Sequence, residues 1–473
     1  MASLLFPLCC GCSRTVPDPG ITPEDCVLLG DDVLAGGLWA EIFETTHVKN
    51  RGVAGEGIAE VRRRADAIAA AHPKKLFISV GINDYARQTE VLRQQMLTRA
   101  KGTRRSTARS TGGYVDPAIL EAWGENPILR ISDFREFTDR FVGETKRLFK
   151  RLHRISPETE LYWVTMFHRE YLDQSAMAAS KKANRDLTEF GHRSGLFKTV
   201  DLDLHMSQAI VERTYSYSEG RWLNDAGYAK LAGLLGWQMG LKTAMTTTAA
   251  RFSEAQFESV RHWNGSYNPN GRMAEYYYDR LSQFLSMPRG KGGVVLFGDS
   301  MIDFGPWDEL LAEYPVHMRG IAGDQLMGYT ARVDEIASQN PAAVVLIGDC
   351  NNLVKNPELP PEAIWPDYEA LLKALRAALP EVPLFVESIL PLNRKDADEY
   401  EGFNARAAAL NERIAAAAEP YNFRYLDLAS LVRDAGGDLR DDLTTDGCHL
   451  NAAGYRIWAD QLKAALGDEF KRK

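Results

Sequence analysis

The 473-residue sequence has no run approaching the roughly 20 consecutive apolar residues that a membrane-spanning helix needs, so no membrane span is expected. It has no excess of positive charge either. The formal net charge is -8, which removes the electrostatic reason to expect nucleic acid as a partner. The one basic stretch, Arg99, Lys101, Arg104, Arg105 and Arg109, lies among Ser, Thr and Gly and reads as a solvated loop. Cysteine is scarce. Cys9, Cys10, Cys12 and Cys26 gather near the start, but no histidine lies near them and their spacing matches no common zinc pattern, so no metal is expected. Met1 to Cys12 has a short apolar core followed by small residues and cysteines, the outline of a signal or lipoprotein remnant. It lacks any Lys or Arg ahead of that core, and a truncated start would look the same, so a soluble chain in either the cytoplasm or an exported location is expected.

What the sequence does have is ample material for a core, with 45% hydrophobic and 25% charged residues, and a length that exceeds one hydrophobic core. Two domains of roughly 200 residues are the natural division. Apolar runs of strand length alternate with helical stretches, which argues for an α/β fold with parallel sheets covered by helices. In the C-terminal half the strands read as Val294 to Phe297, Ala343 to Ile347, Pro383 to Ser388 and Arg424 to Leu428, with helices over Tyr368 to Leu379, Asn404 to Ala418 and Leu450 to Leu466. In the N-terminal half they read as Cys26 to Leu29, Lys75 to Val80, Leu161 to Met166 and Phe197 to Leu202, with a helix after Asn224. A polar stretch from Ala86 to Ser132 reads as a surface excursion, and Ser253 to Met287, rich in aromatics such as Trp263, Tyr267 and Tyr276 to Tyr278, as a lead-in packed on the second domain, with Asn264 to Gly271 as a loop.

The two halves repeat one another in motif order. Asn50 to Glu56 echoes Met318 to Asp324, and Trp222 to Tyr228 echoes His449 to Tyr455, an agreement most simply explained by duplication. The copies differ in chemistry. The second opens on Gly298-Asp299-Ser300 and closes on Asp446-Gly447-Cys448-His449; the first opens on Gly30-Asp31-Asp32 and closes on Glu219-Gly220-Arg221-Trp222, with an acid in place of the serine and an indole in place of the histidine. A serine hydroxyl becomes a useful nucleophile only when a base removes its proton and a third group orients that base. Ser300, His449 and Asp446 can fill those roles, and three-residue spacing lets one turn bring Asp446 to His449. Acyl transfer also needs donors for a developing oxyanion. The backbone N–H groups of Ser300 and Gly323 and the amide of Asn351 can supply them.

Gly298-Asp299-Ser300, Gly323, Asn351 and Asp446 to His449 resemble the ordered blocks of the SGNH (GDSL-type) hydrolases. Gly320-Ile321-Ala322-Gly323-Asp324 and the lead-in are similar to the platelet-activating-factor acetylhydrolase-like sub-type. The resemblance covers Gly292 to Leu466 well and Ile21 to Leu235 in weakened form. It implies two flavodoxin-like three-layer α/β/α domains in tandem, with the site at the carboxyl ends of the strands. The third block departs from the usual Gly-x-Asn spacing: Gly348-Asp349-Cys350-Asn351-Asn352 holds one extra residue, which leaves Asn352 as the alternative donor. The first copy keeps regular spacing in Gly81-Ile82-Asn83-Asp84 and retains Gly55.

The expected organisation is therefore a tail over 1–20, a degenerate domain over 21–245, a connector over 246–290 and a catalytic domain over 291–473. The expected activity is a serine esterase acting on short acyl esters, acetyl esters above all, of small molecules or carbohydrates, with no metal or organic cofactor required. Acyl transfer to a sugar hydroxyl and non-catalytic carbohydrate binding are the alternatives. Cys350 and Cys448 flank the proposed donor and base, so their loops are expected to meet, as free thiols or as a redox-sensitive pair. His317, near the second block, reads as a core or surface histidine.

Overall fold

The computed structural model describes residues 15–107, 128–167, 169, 172–212, 214–218, 220, 222–247, 252, 255, 256, 260, 272–290, 292–348, 350–394 and 400–472. Cys9, Cys10, Cys12, Arg109, Glu219, Arg221, Trp263, Tyr267, the 264–271 loop and Asp349 lie outside these residues, as do the side chains of Arg99, Lys101, Arg104 and Arg105. Among the described residues, no helix is long and apolar enough to cross a membrane.

The chain forms two compact units. The first runs to Gly36 and resumes over His47–Ser207; the second comprises Gly37–Thr46 and Gln208–Lys473. Two stretches that the motif order gives to the N-terminal copy, 37–46 and 208–245, thus fall in the second unit.

The first unit contains β1 (Cys26–Gly30), β2 (Val48–Gly52), β3 (Lys75–Ser79), β4 (Glu160–Val164) and β5 (Lys198–Val200) in the order β2-β1-β3-β4-β5. The second contains β6 (Val294–Gly298), β7 (Val316–Gly320), β8 (Ala343–Leu346), β9 (Leu384–Glu387) and β10 (Arg424–Leu426) in the order β7-β6-β8-β9-β10. All neighbours are parallel. Each sheet reverses direction about its first strand, and ligands of open parallel sheets bind outside the carboxyl ends of the strands at such a point. The registers correspond as well: Gly30 lies beside Gly52 and Gly298 beside Gly320.

Central strands of a parallel sheet are covered on both faces and so read as unbroken apolar runs. In β6, Val295 and Phe297 point to one core with Leu371 and Leu372 of the helix Pro361–Ala378 and Leu410 of the helix Phe403–Ala416. Val294 and Leu296 point to the other, with Trp307, Trp458 and Leu462, the last two on the helix Ala452–Leu466. Two apolar faces with helices on each make three layers. In the first unit, Val27 and Leu29 pack with Val61, Phe149 and Leu187.

The edge strands β2 and β7 are absent from the sequence expectation. Their sequences, Val-Lys-Asn-Arg-Gly and Val-His-Met-Arg-Gly, carry the polar residues that edge strands tolerate and central strands do not. The expected surface excursion from Ala86 also needs correction. A helix runs over Ile82–Thr107, so residues 86–107 continue the element that begins at the Asn83 motif. The helix Arg272–Ser286 packs within the second unit, where Tyr276, Tyr277 and Tyr278 are buried and the Tyr277 hydroxyl donates to the Gly328 carbonyl at 3.1 Å.

Candidate active site

Strand β6 delivers the serine. At its end a Cβ on Gly298 would stand 2.2 Å from Ile347 Cγ2, so only glycine lets the strand pass so close to the chain leaving β8. Asp299 then caps the short helix Ser300–Asp303, its Oδ1 accepting the Met301 N–H at 3.0 Å. Ser300 therefore opens a helix at the carboxyl end of β6, beside the reversal point, and is 8% exposed.

The base is delivered by a tight loop. Asp446 Oδ1 accepts the amides of Cys448 at 2.9 Å and His449 at 2.8 Å, and Gly447 takes a left-handed φ of 76° that only glycine adopts freely. The turn leaves Asp446 Oδ2 2.7 Å from His449 Nδ1. His449 Nε2 lies 3.0 Å from Ser300 Oγ. With Nδ1 donating to the carboxylate, Nε2 is the free acceptor for the serine proton. Burial works against the Asp446 carboxylate, but hydrogen bonds from the His449 ring and the two amides overcome it and hold the group down at about 2. Asp446 thus stays charged throughout the range in which an imidazole titrates.

The loop after β7 faces the same serine helix. Gly320 approaches so closely that a Cβ would meet the Asp303 amide nitrogen at 2.4 Å, and Gly323 has φ 75°. Asp303 joins the two segments, since its Oδ2 accepts the Ala322 N–H at 2.9 Å. Arg280 reaches its Oδ1 at 2.8 Å and the Tyr276 hydroxyl its Oδ2. The buried Arg332 guanidinium donates to the Gly298 carbonyl at 2.8 Å, to the Arg319 carbonyl at 2.7 Å and to Asp324 at 3.0 Å. It clamps the ends of β6 and β7 to the loop between them. Asp303 and Arg332 are invisible as site residues in the sequence, because nothing in their spacing distinguishes them from surface charges.

Asn351 and Asn352 differ in position. Asn351 Nδ2 donates to the Asp324 carbonyl at 2.9 Å and, more loosely, to Asp299 Oδ2 at 3.3 Å. Asn352 is buried and its Oδ1 accepts the Leu326 N–H at 3.0 Å. Burial pushes the Asp299 carboxyl up to about 6, with the Met301 amide opposing. Cys350 and Cys448 are free thiols; a hydrogen bond from Cys350 lowers the Cys448 thiol to about 7 against the effect of burial. The Phe304 ring, 54% exposed, has its centroid 5.3 Å from that of His449 and forms an apolar wall beside the imidazole.

Other residues sit elsewhere. His317 bonds Glu41 at 3.1 Å and the Gly292 carbonyl at 2.8 Å, at the opposite end of β7 from Gly323. Trp222 belongs to the second unit and packs on Tyr276 with ring centroids 4.4 Å apart. In the first unit, the Gly55 amide donates to Asp32 Oδ1 at 3.2 Å and Asn83 Nδ2 to Asp32 Oδ2 at 2.8 Å.

Comparison with known proteins places residues 296–457, from within β6 to the last helix, in the GDSL-like lipase/acylhydrolase family model. Among curated proteins there is no significant match. A GDSL-like lipase from Bacteroides thetaiotaomicron is 19% identical over 40% of this chain and 96% of its own, with a TM-score of 0.34. An acetyl-xylooligosaccharide esterase from Geobacillus Stearmophilus is 18% identical over 40% of this chain and 100% of its own, with a TM-score of 0.31.

Proposed function

We propose that the C-terminal domain is a serine esterase that cleaves short acyl esters through Ser300, His449 and Asp446. The observation that carries this reading is the relay of contacts, 3.0 Å from Ser300 Oγ to His449 Nε2 and 2.7 Å from His449 Nδ1 to Asp446 Oδ2. The GDSL-like acylhydrolase match over residues 296–457 supports the same class of chemistry. His449 takes the Ser300 proton as Oγ attacks the ester carbonyl, and the imidazolium is stabilised by Asp446. The tetrahedral oxyanion is met by the N–H groups of Ser300 and Gly323 and by Asn351 Nδ2. His449 then returns its proton to the departing alkoxide, leaving an acyl-serine. A water that loses its proton to His449 attacks the acyl carbon, and the serine regains the proton as the acid leaves. Every step moves a proton between named protein atoms and the substrate, so neither metal nor organic cofactor enters.

Asn351 is the side-chain donor in this reading because its loose bond to Asp299 can be exchanged for one to the oxyanion, whereas Asn352 is buried and held through its Oδ1 by the Leu326 amide. Asn351→Ala is expected to lower kcat by about 10²- to 10³-fold with little change in KM, as loss of one preorganised oxyanion donor does. An unchanged kcat, measured on a p-nitrophenyl ester, would move the role to Asn352.

The N-terminal copy is read as an inactive relative, arising by duplication. Its support is the matching strand order, the matching glycine registers and the replacement of serine by Asp32. The exposed Phe304 beside His449 gives the alcohol portion an aromatic face, which suits a sugar ester. A series of p-nitrophenyl esters of increasing chain length tests acyl preference: activity falling steeply beyond acetyl and propionyl supports the reading, and a maximum at long chains contradicts it. Acetylated glycan appearing when sugars are added would identify acyl transfer in place of hydrolysis.

A further inference from the structure

The first unit contains a small polar cradle in which every donor already has an acceptor. Gly55 has φ 80° and its amide donates to one oxygen of Asp32, at 3.2 Å. Asn83 donates to the other oxygen, at 2.8 Å, while a second bond from the same nitrogen to the Glu56 carbonyl at 2.9 Å fixes the amide's orientation. The two donors come from different elements, the loop after β2 and the first turn of the helix Ile82–Thr107, and converge on one carboxylate. Each stands where the second unit has its counterpart: Gly55 three residues after the register glycine Gly52 as Gly323 is after Gly320, and Asn83 bonding the Glu56 carbonyl as Asn351 bonds that of Asp324.

We propose that the N-terminal unit retains a binding site for small carboxylates, held closed by the chain's own Asp32. A carboxylate presents two oxygens with the charge spread between them, and two neutral donors aimed from different sides suit such an ion. Asp32, tethered at the end of β1, reaches the donors at no translational cost, so a free monocarboxylate must displace it to bind. Asp32, which stands where the second motif set has Ser300, therefore blocks the cradle, and a small carboxylate does not lodge there while it is present. The cradle lies at the surface, with Gly55 exposed and Asp32 and Asn83 half-buried. Water can therefore satisfy its donors when Asp32 is removed. The inference concerns binding alone and does not depend on the esterase reading.

The test titrates the full-length protein with carbon-13-labelled acetate and follows bound acetate by nuclear magnetic resonance. Asp32→Ala is expected to gain one acetate site with affinity at least about tenfold above the wild type, the size of effect expected for charge-assisted hydrogen bonds. Asp32→Ala combined with Asn83→Ala should lose that gain. Asp32→Ser, which keeps a polar group at the position but removes the carboxylate, should also gain the site and guards against a misfolded alanine variant. Acetate binding by both single variants no stronger than by the wild type, or a gain that survives removal of the Asn83 amide, would overturn the proposal.

Discussion

Ser300→Ala is expected to lower kcat for an acetyl ester by on the order of 10⁴- to 10⁶-fold while leaving the fold intact. Members of a catalytic triad act as a unit, so removing the nucleophile costs nearly as much as removing all three, and what remains comes from the oxyanion donors and binding alone. The change deletes one oxygen whose hydrogen bond is to a partly exposed imidazole. The cap of the Ser300 helix comes from Asp299, not from the serine side chain. Secondary structure and unfolding midpoint should therefore stay near wild type, and a parallel loss of stability would mean that the activity fell for another reason. KM for substrate should change little, since Ser300 bonds to the acyl carbon only after binding.

Glu41→Ala is expected to destabilise the second unit by about 3–5 kcal/mol, although Glu41 lies far from Ser300 in sequence and belongs to no motif. Glu41 sits in the 37–46 stretch that joins that unit. Its carboxylate accepts both Arg319 terminal nitrogens at 3.1 Å, the Met318 amide at 3.0 Å and His317 Nδ1 at 3.1 Å. Arg319 is fully buried. Without Glu41 its charge keeps the Glu335 carboxylate, at 3.0 Å, and the neutral Met318 carbonyl, at 2.9 Å, and breaking one side of a buried pair leaves charge undercompensated, which is where the cost arises. Burial raises the Glu41 carboxyl, but the Arg319 charge and the His317 bond outweigh it and hold the group at about 2. A carboxylate lowered in the folded state contributes stability that is present above its unfolded value, near 4.5, and is lost as pH falls toward 2. The difference between wild type and Glu41→Ala should accordingly be large at pH 7 and shrink below about pH 4. Urea unfolding at the two pH values measures it; equal differences at both would contradict this account of the bond network. The same contacts predict that a chain beginning at residue 246 is less stable than the full-length protein, because it lacks the partner that pins β7.

The central strands, the serine turn and the Asp446–His449 spacing were legible in the sequence because each is local: apolar runs for strands buried on both faces, a glycine at a close approach, a three-residue loop. What was not legible depends on the far end of a contact. Strands β2 and β7 read as polar because they lie at sheet edges. The helix over residues 82–107 carries so many polar residues that the stretch from Ala86 reads as a surface excursion. Trp222 occupies the histidine's place in the motif order, yet it packs on Tyr276 in the second unit. Asp303, Arg332 and Glu41 matter through carbonyls, amides and guanidinium groups brought to them by the fold. Asp32 stands in the motif order where the second set has Ser300, which is legible in the sequence; that its carboxylate accepts from Gly55 and Asn83 depends on the fold.

Peptide-mapped mass spectrometry after treatment with a fluorophosphonate tests the central claim most directly, because the reagent forms a stable covalent bond only with a serine whose proton is removed by a neighbouring base. One adduct is expected, on the peptide carrying Ser300, with labelling lost in Ser300→Ala and strongly slowed in His449→Ala. An unlabelled protein, or an adduct on another residue with Ser300 unmodified, would contradict the assignment of Ser300 as the nucleophile.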